Sequence, residues 1–276
     1  MKLQVDGRTA YAYTGGKPFD LALPCIVFIH GAMNDHSVWT LLARWFAHHG
    51  YGVLAVDLPG HGRSDSPLLA DVQAHGRWVW QLLDAAGVQQ AALVGHSMGS
   101  MIALEAAGQA PARASHLLML ATAYPMKVSP ALLTLAAEAP LQAIDMVNNF
   151  SHSTWAAKPS YPGPGAWLHG GGRALMRQLQ ARQLIQGQAN LFAHDFGVCD
   201  AYGGGLQAAA QVSCPVSLIL GSSDQMTSPK QTQSLIDALN PTVYRLLAGH
   251  ALMAEAPDQV LAALRQALAP AAVGAA

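Results

Sequence analysis

Residues 91–108 read AALVGHSMGSMIALEAAG. A short apolar run ends at Gly95, and from Met98 onward the residues are mostly small or straight-chain helix formers. Ser97 stands between the two, inside Gly95-His96-Ser97-Met98-Gly99. A glycine two positions to either side permits a backbone turn that a Cβ would obstruct. The stretch therefore predicts strand, tight turn and helix, with Ser97 displayed at the tip for chemistry. Alone, Gly-x-Ser-x-Gly is a weak signal, and its setting between strand and helix carries the reading.

The alternation extends in both directions. PCIVFIHG at 24–31, YGVLAVDLPG at 51–60 and SHLLMLATAY at 115–124 read as buried strands, with helical spacing in SVWTLLARWFAHHG at 37–50 and RWVWQLLDAAG at 77–87. Strands alternating with helices predict a mostly parallel sheet with right-handed crossovers. After Tyr124 the rhythm breaks. Amphipathic helical stretches follow, separated by turn-rich YPGPG at 161–165 and GGG at 170–172, with no buried strand. The strand pattern returns at CPVSLILGSSD, followed by helix-like QTQSLIDALN, strand-like TVYRLLAGH and helix-like PDQVLAALRQALA. The expected organisation is a core from 1–124 and 213–276 with a helical insertion at 125–212. Asp6-Gly7 predicts a hairpin near the start, and the tail APAAVGAA reads as frayed.

The 276 residues suffice for one large domain with a substantial core. Sixteen acidic and fifteen basic residues, without runs of either sign, give a net charge of -1. That leaves no electrostatic footprint for nucleic acid or anionic lipid, so the expected partner is a small molecule of little charge. No apolar run approaches the roughly 20 residues that span a bilayer. The opening MKLQVDGRTAYAYTGG lacks the apolar core of a secretion signal, and cytoplasmic residence is the expectation. Cys25, Cys199 and Cys214 are too widely spaced for a disulfide framework or a zinc set, and buried packing is their plain reading. No pair of histidines has metal-ligand spacing, and no cofactor is expected.

A serine hydroxyl is a poor nucleophile at neutral pH; it needs a base to take its proton and a carboxylate to hold that base in the right tautomer. A parallel sheet gathers its loops at the carboxyl ends of the strands. LILGSSDQM puts Asp224 just past one strand, and LLAGHALM puts His250 just past the next. The order Ser97, Asp224, His250 is that of the α/β-hydrolases.

FIHGAM, VDLPGHGRSD, LVGHSMG, LILGSSD and AGHALMAEAP occur in sequence along the chain. On these five stretches the chain resembles the α/β-hydrolase superfamily, specifically its capped serine hydrolases. The resemblance implies a mostly parallel central sheet with helices on both faces and the insertion as a helical cap over Ser97. It implies Ser97 as nucleophile, His250 as general base and then acid, and Asp224 as the orienting carboxylate. It also implies an oxyanion hole from the backbone amides of Ala32 and Met98. Met33 is a second candidate there, because no HGGG string fixes the register.

Blander readings stand beside these. His250 could be a core histidine, and Asp224 a turn or N-cap residue. ATAYP, after the preceding strand, offers no rival carboxylate. Asp57 and His61 belong to a shaped turn, His30 is expected to fix the oxyanion loop by hydrogen bonding, and His96 to pack against the sheet. His36, His152, His169 and His194 remain unassigned. Phe150, Trp155, Tyr161, Trp167, Phe192, Phe196 and Tyr202 could line a pocket or simply pack the cap. Arg173 and Arg177, four apart, could bind a carboxylate or form a solvated helix face.

The expected function is a cofactor-free serine hydrolase acting on a carboxylic ester (class EC 3.1.1) of a small, largely apolar substrate. Ser97 argues against relatives that use an aspartate nucleophile. A C–C bond hydrolase, a lactonase or a thioesterase could run on the same residues, and a small-ligand sensor is the rival from outside catalysis.

Overall fold

The computed structural model describes residues 1–153, 165–185 and 190–269. Lys2–Val5 (β1) and Arg8–Tyr13 (β2) form an antiparallel hairpin through Asp6 and Gly7, at φ 49° and 73°. Asp-Gly supplies the positive φ that a two-residue hairpin turn demands. The hairpin joins the sheet by antiparallel pairing of β2 with Gly52–Val56 (β4). Cys25–Ile29 (β3), β4, Ala91–His96 (β5), Ala114–Leu120 (β6), Val216–Gly221 (β7) and Thr242–Leu246 (β8) run parallel. The order across the sheet is β1-β2-β4-β3-β5-β6-β7-β8.

Every residue of β3, β4 and β5 is buried, so both faces of the sheet must be covered. Successive side chains point to opposite faces. Ile26 and Phe28 meet Leu42 and Phe46 of Thr40–Ala47 (α1) and Val260 and Leu264 of a C-terminal helix. Val27 and Ile29 meet a second cluster with Val79 and Leu82 of Val72–Ala85 (α2) and Ile102 and Ala106 of Met98–Gln109 (α3). Burying one such side chain is worth about 1.5–3 kcal/mol, which is what fixes strand register and helix face together.

Between β6 and β7 the chain forms Pro130–Glu138 (α4), Pro140–Phe150 (α5), Gly165–Ile185 (α6), Leu191–Ala201 (α7) and Gly205–Ala209 (α8). Ser129 and Asn190 cap α4 and α7 with their side chains, and Pro130 and Pro140 open α4 and α5, where a missing N–H costs nothing. The remaining helices are Gln233–Leu239 (α9), Leu252–Glu255 (α10) and Pro257–Ala267 (α11). Leu132, Ile144, Met176, Leu191, Phe192 and Phe196 form a separate apolar cluster that takes in Met33 from the main body.

GGG at 170–172, expected to break the helical region, lies inside α6. Tertiary packing overrides the weak helix propensity of glycine here: a Cβ on Gly172 would stand 3.0 Å from Asn148 Oδ1 on α5. YPGPG up to residue 164 lies outside the described residues, as does the tail from 270. Where the insertion leaves and rejoins the body, its two ends are tied together. The Tyr124 hydroxyl donates to Gly203 O, Lys127 Nζ to Asp200 O at 2.6 Å, and Val128 N–H to Asp200 Oδ1 at 3.0 Å.

All three cysteines are free; Cys25 and Cys199 are buried and Cys214 half-buried. Burial pushes the Cys25 thiol up to about 12 and raises the other two, which suits packing rather than reactivity. Among the described residues no helix is long and apolar enough to cross a membrane.

Candidate active site

β5 ends at His96 and α3 begins at Met98, leaving Ser97 alone at the turn with φ 52° and ψ -120°. A side-chain-bearing residue holds such a backbone only when its surroundings enforce it, at a cost of about 1–3 kcal/mol. Ser97 N–H donates to Leu120 O at 2.9 Å on β6, and Ser97 O accepts Ser100 N–H at 2.8 Å. The two glycines are steric necessities: a Cβ on Gly95 would fall 2.0 Å from Gly99 O, and one on Gly99 2.3 Å from Ile29 O.

Asp224 follows β7 and His250 follows β8, and the two side chains meet: His250 Nδ1 lies 2.9 Å from Asp224 Oδ2. Asp224 also accepts Met226 N–H and Thr227 N–H on Oδ1 and the Thr227 hydroxyl on Oδ2, each at 2.8 Å. Burial opposes its ionisation, but the imidazole of His250 and the Thr227 donors hold the carboxyl below its ordinary range. A carboxylate accepts only, so Nδ1 carries the proton and Nε2 presents a lone pair. The backbone of His250 is held as well, its carbonyl accepting His96 Nε2–H at 2.9 Å. His96 therefore does more than pack against the sheet. Burial drives its pKa down to about 3, and His250 adds to this, so the ring is neutral with its proton on Nε2.

Ser97 and His250 line one cavity of about 710 Å³ beneath the helical insertion. Among the described residues Ser97 Oγ carries no hydrogen bond, to His250 or otherwise. Such contacts commonly tighten only around bound substrate. The cavity walls include Met126, Leu132, Met176, Phe196, Met226 and Met253. Lys127 is the one formally charged side chain among the described lining residues, and its ammonium is directed to Asp200.

Opposite His250 the chain turns at His30–Asn34. Leu58 N–H donates to His30 Nε2 at 3.0 Å, which places the ring proton on Nδ1, and Nδ1–H donates to Gly31 O at 2.8 Å. His30 fixes this loop by hydrogen bonding, as expected. Burial, with His61 alongside, lowers it to about 4 and keeps it neutral. The amides of Ala32 and Met98 carry no hydrogen bond among the described residues. Met33, the second candidate, is committed elsewhere: its N–H donates to Asp195 Oδ2 at 2.8 Å.

Asp195 had no role in the sequence reading. It sits on α7, with Leu191, Phe192, Phe196, Val198 and Cys199 also buried there, and also meets His61 Nε2 at 2.9 Å. A carboxylate at a buried-face spacing was the available signal. Asp57 takes both His36 N–H and Nδ1 at 2.7 Å on Oδ1 and Arg63 N–H at 2.7 Å on Oδ2. Asp35, His36 and Asp57 have donor atoms within 4.8 Å of one another, a grouping that sequence spacing did not reveal. Internal hydrogen bonds occupy the Asp57 oxygens, so the loop itself accounts for them.

Of the other unassigned histidines, His169 on α6 meets Asn148 and Asn149 of α5, His152 meets Asn148 O at 3.0 Å, and His194 on α7 meets Leu69 O at 2.9 Å. Arg173 and Arg177 both pair with Asp145. Of the insertion's aromatic residues singled out from the sequence and lying among the described residues, Phe150 and Phe196 line the cavity. Phe192 stacks on Phe196 with ring centroids 4.4 Å apart, and the Tyr202 hydroxyl donates to Glu105 at 2.7 Å. Trp155, Tyr161 and the Trp167 side chain lie outside the described residues.

Part of the chain is similar to a dihydrolipoyllysine-residue acetyltransferase component of an acetoin cleaving system from Cupriavidus necator, 38% identical over 111 residues, 40% of this chain and 28% of that protein. Part is similar to a pimeloyl-[acyl-carrier protein] methyl ester esterase from Methylococcus capsulatus, 37% identical over 103 residues, 35% of this chain and 36% of the esterase. The chain thus spans about a third of the length of the curated relatives it matches. In fold it is similar to an enol-lactonase from Burkholderia xenovorans LB400, with a TM-score of 0.81 at 19% identity, over 98% of this chain and 100% of the lactonase. The family model of the alpha/beta hydrolase fold matches residues 24–256, a span that takes in Ser97, Asp224 and His250 with the strands that carry them, and the chain belongs to that family.

Proposed function

We propose that the protein is a serine hydrolase that cleaves a carboxylic ester of an uncharged, largely apolar substrate through an acyl-enzyme on Ser97. The observation that carries this reading is the meeting of Ser97 and His250 on one apolar cavity, with Nδ1 of His250 tied to Asp224. Ser97 Oγ attacks the carbonyl while His250 Nε2 takes its proton, and the resulting oxyanion lies between the amides of Ala32 and Met98. Imidazolium so formed faces Asp224, whose carboxylate stabilises it. His250 returns the proton to the leaving alkoxide, and water then clears the acyl group by the same steps in reverse roles. Helices of the insertion cap the site and keep it dry. A lactone, as a cyclic ester, would pass through the same sequence. Substrates bearing carboxylates find no unpaired cation on the described walls.

The test is turnover of p-nitrophenyl acetate, butyrate and octanoate, a γ-lactone and a monosuccinate ester, by wild type and Ser97→Ala. A fluorophosphonate probe with peptide mapping identifies the nucleophile. Wild type should favour the neutral esters, label at Ser97 and lose both properties in the variant. Equal, negligible turnover by the two proteins would sink the reading, and ligand-induced thermal stabilisation without turnover would favour a sensor.

A further inference from the structure

We propose that Asp195 is a positioning residue for the oxyanion-binding loop, through which the helical insertion sets the turnover rate; the inference rests on the serine-hydrolase reading above. Two consecutive peptide units in this loop are pinned. In the Gly31–Ala32 unit the carbonyl accepts His30 Nδ1–H at 2.8 Å. A trans peptide directs its N–H opposite its carbonyl, so this bond aims the Ala32 amide. In the Ala32–Met33 unit the carbonyl accepts Asn34 Nδ2–H at 3.2 Å, and the N–H donates to Asp195 Oδ2 at 2.8 Å. Met33 itself is held at φ 56°, a conformation that a residue with a side chain keeps only under external constraint.

That constraint comes from 162 residues away. Without Asp195 the buried Met33 N–H has no acceptor, and the loop relaxes toward ordinary φ values. The Ala32–Met33 plane then rotates and carries the adjoining Ala32 N–H with it. Misplacing a catalytic donor by about 1 Å costs on the order of 10²-fold in rate.

Asp195 is itself fixed. His61 Nε2 lies 2.9 Å from the same Oδ2, and His61 Nδ1 lies 3.1 Å from Pro59 O. Both partners of the ring are acceptors, so both nitrogens are hydrogen-bonded only when both carry protons. His61 and Asp195 are each 1% exposed, which makes this a buried imidazolium–carboxylate pair. Pro59 and His61 lie in the turn after β4, the same turn whose Leu58 N–H sets the tautomer of His30. The His30 and His61 rings are 5.0 Å apart. The turn after β4, the oxyanion loop and α7 therefore lock one another, and α7 contributes the carboxylate. Both bonds fall on Oδ2, so Asn can keep them with its amide oxygen at that place, whereas Ala leaves both donors without an acceptor.

The experiment compares wild type, Asp195→Ala and His61→Gln on a neutral p-nitrophenyl ester, with kcat expressed per serine titrated by the fluorophosphonate. Affinity for a trifluoromethyl ketone, which adds to the serine and places an oxyanion in the hole, is measured beside that for the matching methyl ketone. In Asp195→Ala, kcat per titrated serine should fall roughly 10- to 100-fold with KM within about twofold, and trifluoromethyl ketone affinity should fall in parallel. His61→Gln, which keeps one donor to Asp195, should show the same pattern more weakly. Wild-type kcat per titrated serine in folded Asp195→Ala would overturn the proposal. So would a loss confined to KM or to the titratable fraction, the pattern of a contact that merely holds α7 in place. Should Asp195→Ala not fold, His61→Gln decides by the same criteria. A wild type that neither turns over esters nor labels at Ser97 would sink the hydrolase reading and this proposal together, a result distinct from an active wild type indifferent to Asp195.

Discussion

Asp224 and His250 are joined by a 2.9 Å contact between Oδ2 and Nδ1, and it decides which ring nitrogen of His250 faces the cavity. Every other bond to Asp224 comes from a donor: two backbone N–H groups and one hydroxyl. Asp224→Asn must turn its NH₂ toward those amides or toward Nδ1. Turned toward Nδ1 it selects the wrong tautomer. Its kcat on a neutral p-nitrophenyl ester should fall about 10⁴-fold while the protein stays folded. An unchanged kcat would remove Asp224 from the site.

His96 donates to the carbonyl of His250 from a buried position. His96→Leu leaves that carbonyl without its donor, at about 1–3 kcal/mol. For a chain of this size the expected loss is about 2–10 °C in Tm, read by calorimetry. The fall in kcat should be smaller than in Asp224→Asn, because the tautomer of His250 is untouched.

Two glycine substitutions should go opposite ways. Gly95→Ala places a methyl group 2.0 Å from Gly99 O, and soluble, folded protein should not be recovered. At Gly170, inside α6, a Cβ meets nothing within 4 Å, so Gly170→Ala should stabilise by about 0.5–1 kcal/mol through helix propensity alone. Denaturant titration of each against wild type checks both.

Burial alone would lower the pKa of His61, but Asp195 raises it above the ordinary histidine value; Asp195 is held low by His61 against its own burial. The stability from His61 is full below its unfolded value near 6.5 and is lost as pH rises through the higher folded value. That from Asp195 is present above its unfolded value near 3.9 and is lost as pH falls through the lower folded one. The Tm gap between wild type and Asp195→Asn should therefore be widest between about pH 4 and 6.5 and narrow on either side. A gap constant from pH 4 to 9 would contradict the ion pair.

The sequence made the strands and the residues after them legible for a local reason. β3, β4 and β5 are short apolar blocks with period-two packing on both faces; Ser97 follows β5, Asp224 follows the similar block β7, and His250 follows the more exposed edge strand β8. Gly95 and Gly99 announced a turn that admits no Cβ. What stayed hidden depends on distant partners. Nothing near LFAHDFGVCD says that Asp195 meets Met33, and nothing near His96 says that its ring reaches the carbonyl of His250. Gly170–Gly172 misled because helix propensity is weak beside the packing of α5 on α6.

The ties at the neck, Tyr124 to Gly203 and Lys127 and Val128 to Asp200, bring the two ends of the helical excursion side by side. Residues 128–200 can accordingly be handled as a cassette, grafted or exchanged between scaffolds without re-registering a single strand. A transplant lacking an acid at the place of Asp195 would fit the neck and still leave Met33 unanchored.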